Sequence, residues 1–144
     1  MNLLYRIISL ILCFIIAVLN FIFPSAAVIN IKSNLGLEIK ASQIEFHKDT
    51  HGGFHGDGEE LIIFTPTKEQ IEKIEAEWNK TPVDSEIALL IYPESEYNGL
   101  DLMNYLPETE GFWFYKNRGK HESSINISFA FFDGEKVFFY ELDT

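Results

Sequence analysis

Three of the four histidines, His47, His51 and His55, fall within nine consecutive residues, beside Asp49 and Asp57. Neutral imidazole nitrogens and carboxylate oxygens are good ligands for zinc, iron or manganese. Side chains alternate along an extended chain, so His47, Asp49 and His51 would project together from one face. Gly52 and Gly53 would let the backbone fold back and bring His55 and Asp57 to the same ion. The candidate metal ligands are therefore His47, Asp49, His51, His55 and Asp57, and a divalent metal is the cofactor they would hold. Asp49 beside His51 or His55 could also orient a general base. Glycine allows close backbone approach to a ligand, so the loop offers a wider candidate binding set: Asp49, His51, Gly52, Gly53, Phe54, His55, Gly56 and Asp57. A plain structural loop uses the same residues: Gly-Gly and Asp57-Gly58 are ordinary turn chemistry, and Phe54 could pin the loop to the core. The spacing does not follow the helical two-histidine zinc signature, and the chain contains no G-x-S-x-G elbow, phosphate loop or dinucleotide fingerprint.

The flanking segments should position this loop as the tip of a long hairpin. Residues 43–48 (QIEFHK) alternate, with Ile44 and Phe46 expected on one face and His47 on the other. Residues 60–65 (ELIIFT) read as a buried strand. The adjoining acids Glu59 and Glu60 read as solvated charges. Upstream, residues 35–40 (LGLEIK) also alternate and predict a strand. Downstream, Thr67 and Gln70 form a capping box for a helix ending near Lys80, with Ile71, Ile74 and Trp78 as its apolar stripe. Residues 84–92 read as a second short helix capped by Asp84 or as a strand, and 93–110 as a loop. Three aromatic-rich strands follow at 111–117, 125–132 and 136–142, with Asp133-Gly134 turning between the last two. Ile127, Phe129 and Phe131 should share a core face, with Asn126, Ser128 and Ala130 on a more polar one. Of the aromatic run Phe112 to Tyr115, one alternating pair should lie beneath the Ile71/Ile74/Trp78 stripe. The expected fold is α+β: a mostly antiparallel sheet of about five or six strands with one or two helices packed on it.

The formal net charge of −11 argues against nucleic acid as a partner, because phosphate binding needs a basic footprint. Arg6 precedes an uncharged apolar run, Ile7 to Phe23, followed by Pro24-Ser25-Ala26-Ala27. Ser25 and Ala27 have the size and spacing that a signal peptidase reads. Residues 3–23 are equally long enough for an uncleaved membrane anchor. Residues 1–27 are thus expected to be a signal peptide or a single transmembrane helix. Residues 28–144 would form an extracytoplasmic domain, held at the cell membrane by one span or secreted. Cys13 is the only cysteine and lacks the small preceding residues of a lipoprotein site, so neither disulfides nor Cys-type zinc sites are expected in 28–144.

The run DTHGGFHGDG (Asp49 to Gly58), a helix with Trp in EAEWNKTPVD (75–84) and aromatic strands ending in YELDT (140–144) occur in this order. In that order and in its His/Gly motif the chain resembles a family of small, uncharacterised bacterial proteins, over most of residues 43–144. The resemblance implies a bacterial, membrane-associated or secreted setting and no mechanism. The leading functional expectation is a non-enzymatic binding or interaction module with an unknown protein partner. The alternatives are a metal-binding protein or metal-dependent hydrolase built on loop 47–58, and an envelope-located immunity or inhibitor protein.

Overall fold

The alternation of large apolar side chains over 126–143 forces a strand pair with both faces buried, and the rest of the molecule is arranged around it. The computed structural model describes residues 5, 7–13, 25–52, 57–88, 90–91, 109–119 and 125–144. After a helical stretch at 7–13, the elements are α1 (Ala26–Leu35), β1 (Ile44–Asp49), β2 (Gly58–Phe64), α2 (Lys68–Glu77), β3 (Asn79–Lys80), α3 (Ser85–Ala88), β4 (Phe112–Asn117), β5 (Asn126–Phe132) and β6 (Val137–Asp143). The six strands form one sheet in the order β1-β2-β6-β5-β4-β3, with every pair antiparallel. The α+β class and the antiparallel sheet thus agree with expectation. Among the described residues no helix is long and apolar enough to cross a membrane.

Two apolar layers sandwich the sheet. On one face Ile62, Phe64, Phe132, Val137 and Phe139 pack against α1 (Ala27, Ile31, Leu35) and against Ile74 and Trp78. On the other face Leu61, Ile63, Phe129, Phe131, Phe138 and Tyr140 are covered by Val83, Ile87 and Ile91. The aromatic run of β4 divides as alternation requires. Phe112 and Phe114 lie under Trp78, whose ring centroid is 5.9 Å from that of Phe114, while Trp113 and Tyr115 join the opposite layer. The Thr67–Gln70 capping box starts α2, and Asp133 accepts from the Glu135 and Lys136 amides to shape the β5–β6 turn.

Three expectations are corrected. Residues 35–40 do not form a strand. Leu35 ends α1, and Gly36 takes the left-handed conformation (φ 64°) that stops a helix at low steric cost. Its apolar positions Leu35, Leu37 and Ile39 are instead buried in the first layer together with α1. Second, Ile44 and Phe46 do not share a face, because a bulge between them sends Ile44 to the α1 layer and Phe46 to the other. Third, the more polar face bearing Asn126, Ser128 and Ala130 is core as well; Ser128 and Ala130 are fully buried under α1. The expected loop 93–110 lies outside the described residues except for its last two positions. Ala27, the expected cleavage position, is only 1% exposed, and Ser25 caps α1. A chain beginning at Val28 would therefore lack this cap and a core residue.

Candidate metal centre

The sheet face beneath α1 changes from apolar to acidic along the strands. One row of paired residues across it is Phe64, Val137, Phe132 and Phe112. The next on this face is His47, Ile62, Phe139, Ala130 and Phe114, and the next again is Asp49, Glu60, Glu141, Ser128 and Lys116. Beyond it Gly58, Asp143 and Asn126 pair. Strand alternation therefore carries Glu60 and Glu141 inward in phase with Ile62 and Phe139; Glu60 is 3% and Glu141 6% exposed. Like charges directly opposite in a sheet repel, so this row requires compensation.

The compensation is uneven. Arg118, just past β4, is 2.8 Å from Glu141 Oε1 and 2.7 Å from Asp143 Oδ1. No lysine or arginine makes an ion pair with Glu60 or Asp49 among the described residues. Glu60 Oε1 accepts from His47 Nε2 at 2.7 Å, and its Oε2 accepts from the Asn30 amide of α1. That same amide donates to Glu141 Oε2 at 2.9 Å, where Asn34 also donates at 3.2 Å. Asp49 Oδ1 accepts from the His51 amide at 2.8 Å and from His51 Nδ1 at 2.7 Å. One ligand atom each from His47, Asp49 and Glu60 lies within 4.8 Å of the others, close enough to converge on a single ion. A pocket of about 350 Å³ opens beside them, lined by Asp49, His51, Glu60, Glu141 and Asp143 on the sheet side and by residues of α1.

Burial by itself would raise the Asp49 carboxyl. The hydrogen bonds from His51, with the charges of His51 and His47, outweigh it and hold Asp49 below the ordinary aspartate value. For Glu141, burial dominates and is reinforced by Asp143 and Glu60. Arg118 and Asn30 offset it only in part, so the carboxyl titrates above the ordinary glutamate value. A group with a raised folded value binds more protons in the folded state. Its contribution is therefore fully present below the unfolded value of about 4.3 and lost as pH rises through the folded one. The wild-type urea midpoint minus that of Glu141→Gln is thus expected to fall as pH rises above about 4. A difference that rises or stays flat would refute this.

The structure brings His47 and Asp49 together, as their spacing suggested, and adds Glu60. β1 ends at Asp49, so His51 is not a third strand ligand. Its ring turns back onto Asp49, with Nε2 buried and 3.5 Å from Asp143 Oδ2. Gly52 and Asp57 are exposed, and the Gly52 amide donates to the Asp57 carbonyl at 3.4 Å. Gly53, Phe54, His55 and Gly56 lie outside the described residues. Glu60, expected to be solvated, is instead the buried member of the triad. Sequence reading also passed over Glu141, Asp143, Arg118 and Asn30. A signal existed for the glutamates: each is in phase with the buried apolar residues of its strand.

Gly58 sets the hairpin's width. A Cβ there would sit 2.5 Å from His51 Cα and 2.6 Å from its amide nitrogen, so backbone would have to move. Thr50 and Glu59 lock the adjacent rung, with the Thr50 amide donating to the Glu59 carbonyl at 2.8 Å. Gly58→Ala is expected to cost about 1–3 kcal/mol in chemical denaturation, the usual range for forced overpacking. A loss below about 0.5 kcal/mol, the scale of ordinary surface changes, would show that the hairpin end yields freely. In comparisons with protein-family models, with curated proteins and with solved structures, none matches the chain.

Proposed function

We propose that this chain is a bacterial cell-envelope binding module whose ligand is a divalent metal ion held by His47, Asp49 and Glu60. The observation that carries the reading is the convergence of one ligand atom each from the exposed His47 and Asp49 and the buried Glu60 within 4.8 Å of one another. Glu60 and Asp49 converge with an imidazole, while the arginine is spent on Glu141 and Asp143. Glu60 is buried with no lysine or arginine paired to it among the described residues, and a divalent cation would neutralise it together with the exposed Asp49. One imidazole with two carboxylates suits zinc, manganese or iron. The adjoining pocket leaves room for water or a small ligand on the ion. For the setting, the apolar run Ile7 to Phe23 supports an anchor or signal segment, and the described residues 7–13 are helical with exposed apolar side chains. The order of elements and the His/Gly motif support membership of the small bacterial family named above.

The test is a calorimetric titration of the metal-free full chain with Zn²⁺, Mn²⁺ and Fe²⁺, with elemental analysis of the product. Stoichiometric uptake is expected. The ligand atoms must be deprotonated to bind, so uptake should weaken as pH falls. No uptake at metal concentrations on the order of tens of micromolar, where the binding free energy would be about −6 kcal/mol, would overturn the reading.

A further inference from the structure

The carboxylates come from the sheet, but Glu60 and Glu141 are also held by amides of α1. Asn30 Nδ2 donates to Glu60 Oε2 and to Glu141 Oε2, bridging two strands. Asn34, one turn later, donates to Asn30 Oδ1 at 2.6 Å and itself accepts from the Ser128 hydroxyl at 3.0 Å. This chain of donors fixes which way the Asn30 amide faces. With Oε2 taken by Asn30, Glu60 turns Oε1 toward His47. α1 also supplies Ala26, Ile29, Asn30 and Ser33 to the pocket wall.

We propose that Asn30 is the positioning residue of the metal site, so that α1 forms one half of a centre whose ligands all lie on the sheet. The inference rests on the metal reading above. A carboxylate ligand is oriented by the partner of its second oxygen, and loss of such a partner typically weakens metal binding about 10- to 100-fold. Asn30 has this relation to Glu60, and it spaces Glu60 from Glu141 so that the ion meets one glutamate rather than a repelling pair. The segment that runs on from the apolar N-terminus is thereby built into the site.

The experiment is Zn²⁺ and Mn²⁺ titration of the full chain, comparing wild type, Asn30→Leu and Ile31→Val. Ile31→Val loosens α1 by trimming the core without touching a carboxylate. The expected result is an affinity loss of about 10- to 100-fold in Asn30→Leu, a change below about 3-fold in Ile31→Val, and an altered Co²⁺ absorption spectrum in Asn30→Leu only. Asn30→Ala serves if Asn30→Leu does not fold. If wild type binds metal and Asn30→Leu matches it within about 3-fold, or loses no more than Ile31→Val, the positioning role is overturned and the metal site stands. If wild type binds no metal, the metal reading itself fails and this inference with it.

Discussion

Glu60→Gln is expected to abolish metal binding at micromolar concentrations while leaving the protein folded. Glutamine keeps the volume of the buried side chain but removes the anionic oxygen that faces His47 and Asp49. Removing a ligand should exceed the 10- to 100-fold loss typical of an outer partner, so the expected fall is more than about 100-fold. The cost to the metal-free fold is smaller, about 1–2 kcal/mol, because one charge-assisted hydrogen bond to His47 weakens and Asn30 must reorient. At the same time the variant relieves the repulsion between Glu60 and Glu141, which the register places directly opposite each other. The two readouts separate the roles. Calorimetry reports the site, and urea denaturation without metal reports the fold. Unchanged affinity in Glu60→Gln would remove Glu60 from the site, and the triad with it. Loss of folding would instead make the buried carboxylate structural.

Phe139→Ala should produce the opposite pattern, a large stability loss that is not specific to metal. Phe139 lies on β6, between β2 and β5, paired with Ile62 and Ala130 and completely buried beneath α1. Truncating a buried phenylalanine typically costs about 3–5 kcal/mol through lost transfer energy and the cavity left behind. Domains of this size are stable by about 5–15 kcal/mol, so the melting temperature should drop on the order of 10–20 °C. Remaining folded protein should still bind metal, because Phe139 precedes Glu141 by one alternation and is not a ligand. A loss below about 1 kcal/mol would mean that α1 does not seal this face.

Local pattern alone located most of the strands. The runs at 111–117, 125–132 and 136–142 are dense in aromatic and β-branched residues, and alternation there decides both conformation and facing. The Thr67–Gln70 box and the Ile71, Ile74 and Trp78 spacing located α2 for the same reason: capping and helical periodicity act within a few residues. Residues 35–40 show where such reasoning stops. Their alternation is compatible with a strand, but Gly36 ends α1 and the apolar positions are buried together with it. Propensity over six residues is too weak to overrule that burial. The bulge at Ile44 to Phe46 likewise arises from pairing with β2, which no local pattern reports.

An aromatic antiparallel sheet, an acidic charge balance and a hairpin carrying histidines all follow from residue types and short-range spacing. His47 and Asp49 were visible as a pair because their relation depends only on the two-residue period of a strand. The rest of the candidate site depends on contacts between distant segments. Glu60 is 11 residues beyond Asp49, Glu141 lies on a distant strand and Asn30 on a helix before the sheet begins. They meet because β-sheet register aligns Asp49, Glu60 and Glu141 in one row and because α1 buries Ala27, Ile31 and Leu35 on the apolar rows beside it. Register is a property of paired chains and helix docking a property of complementary surfaces; neither is encoded at any single position.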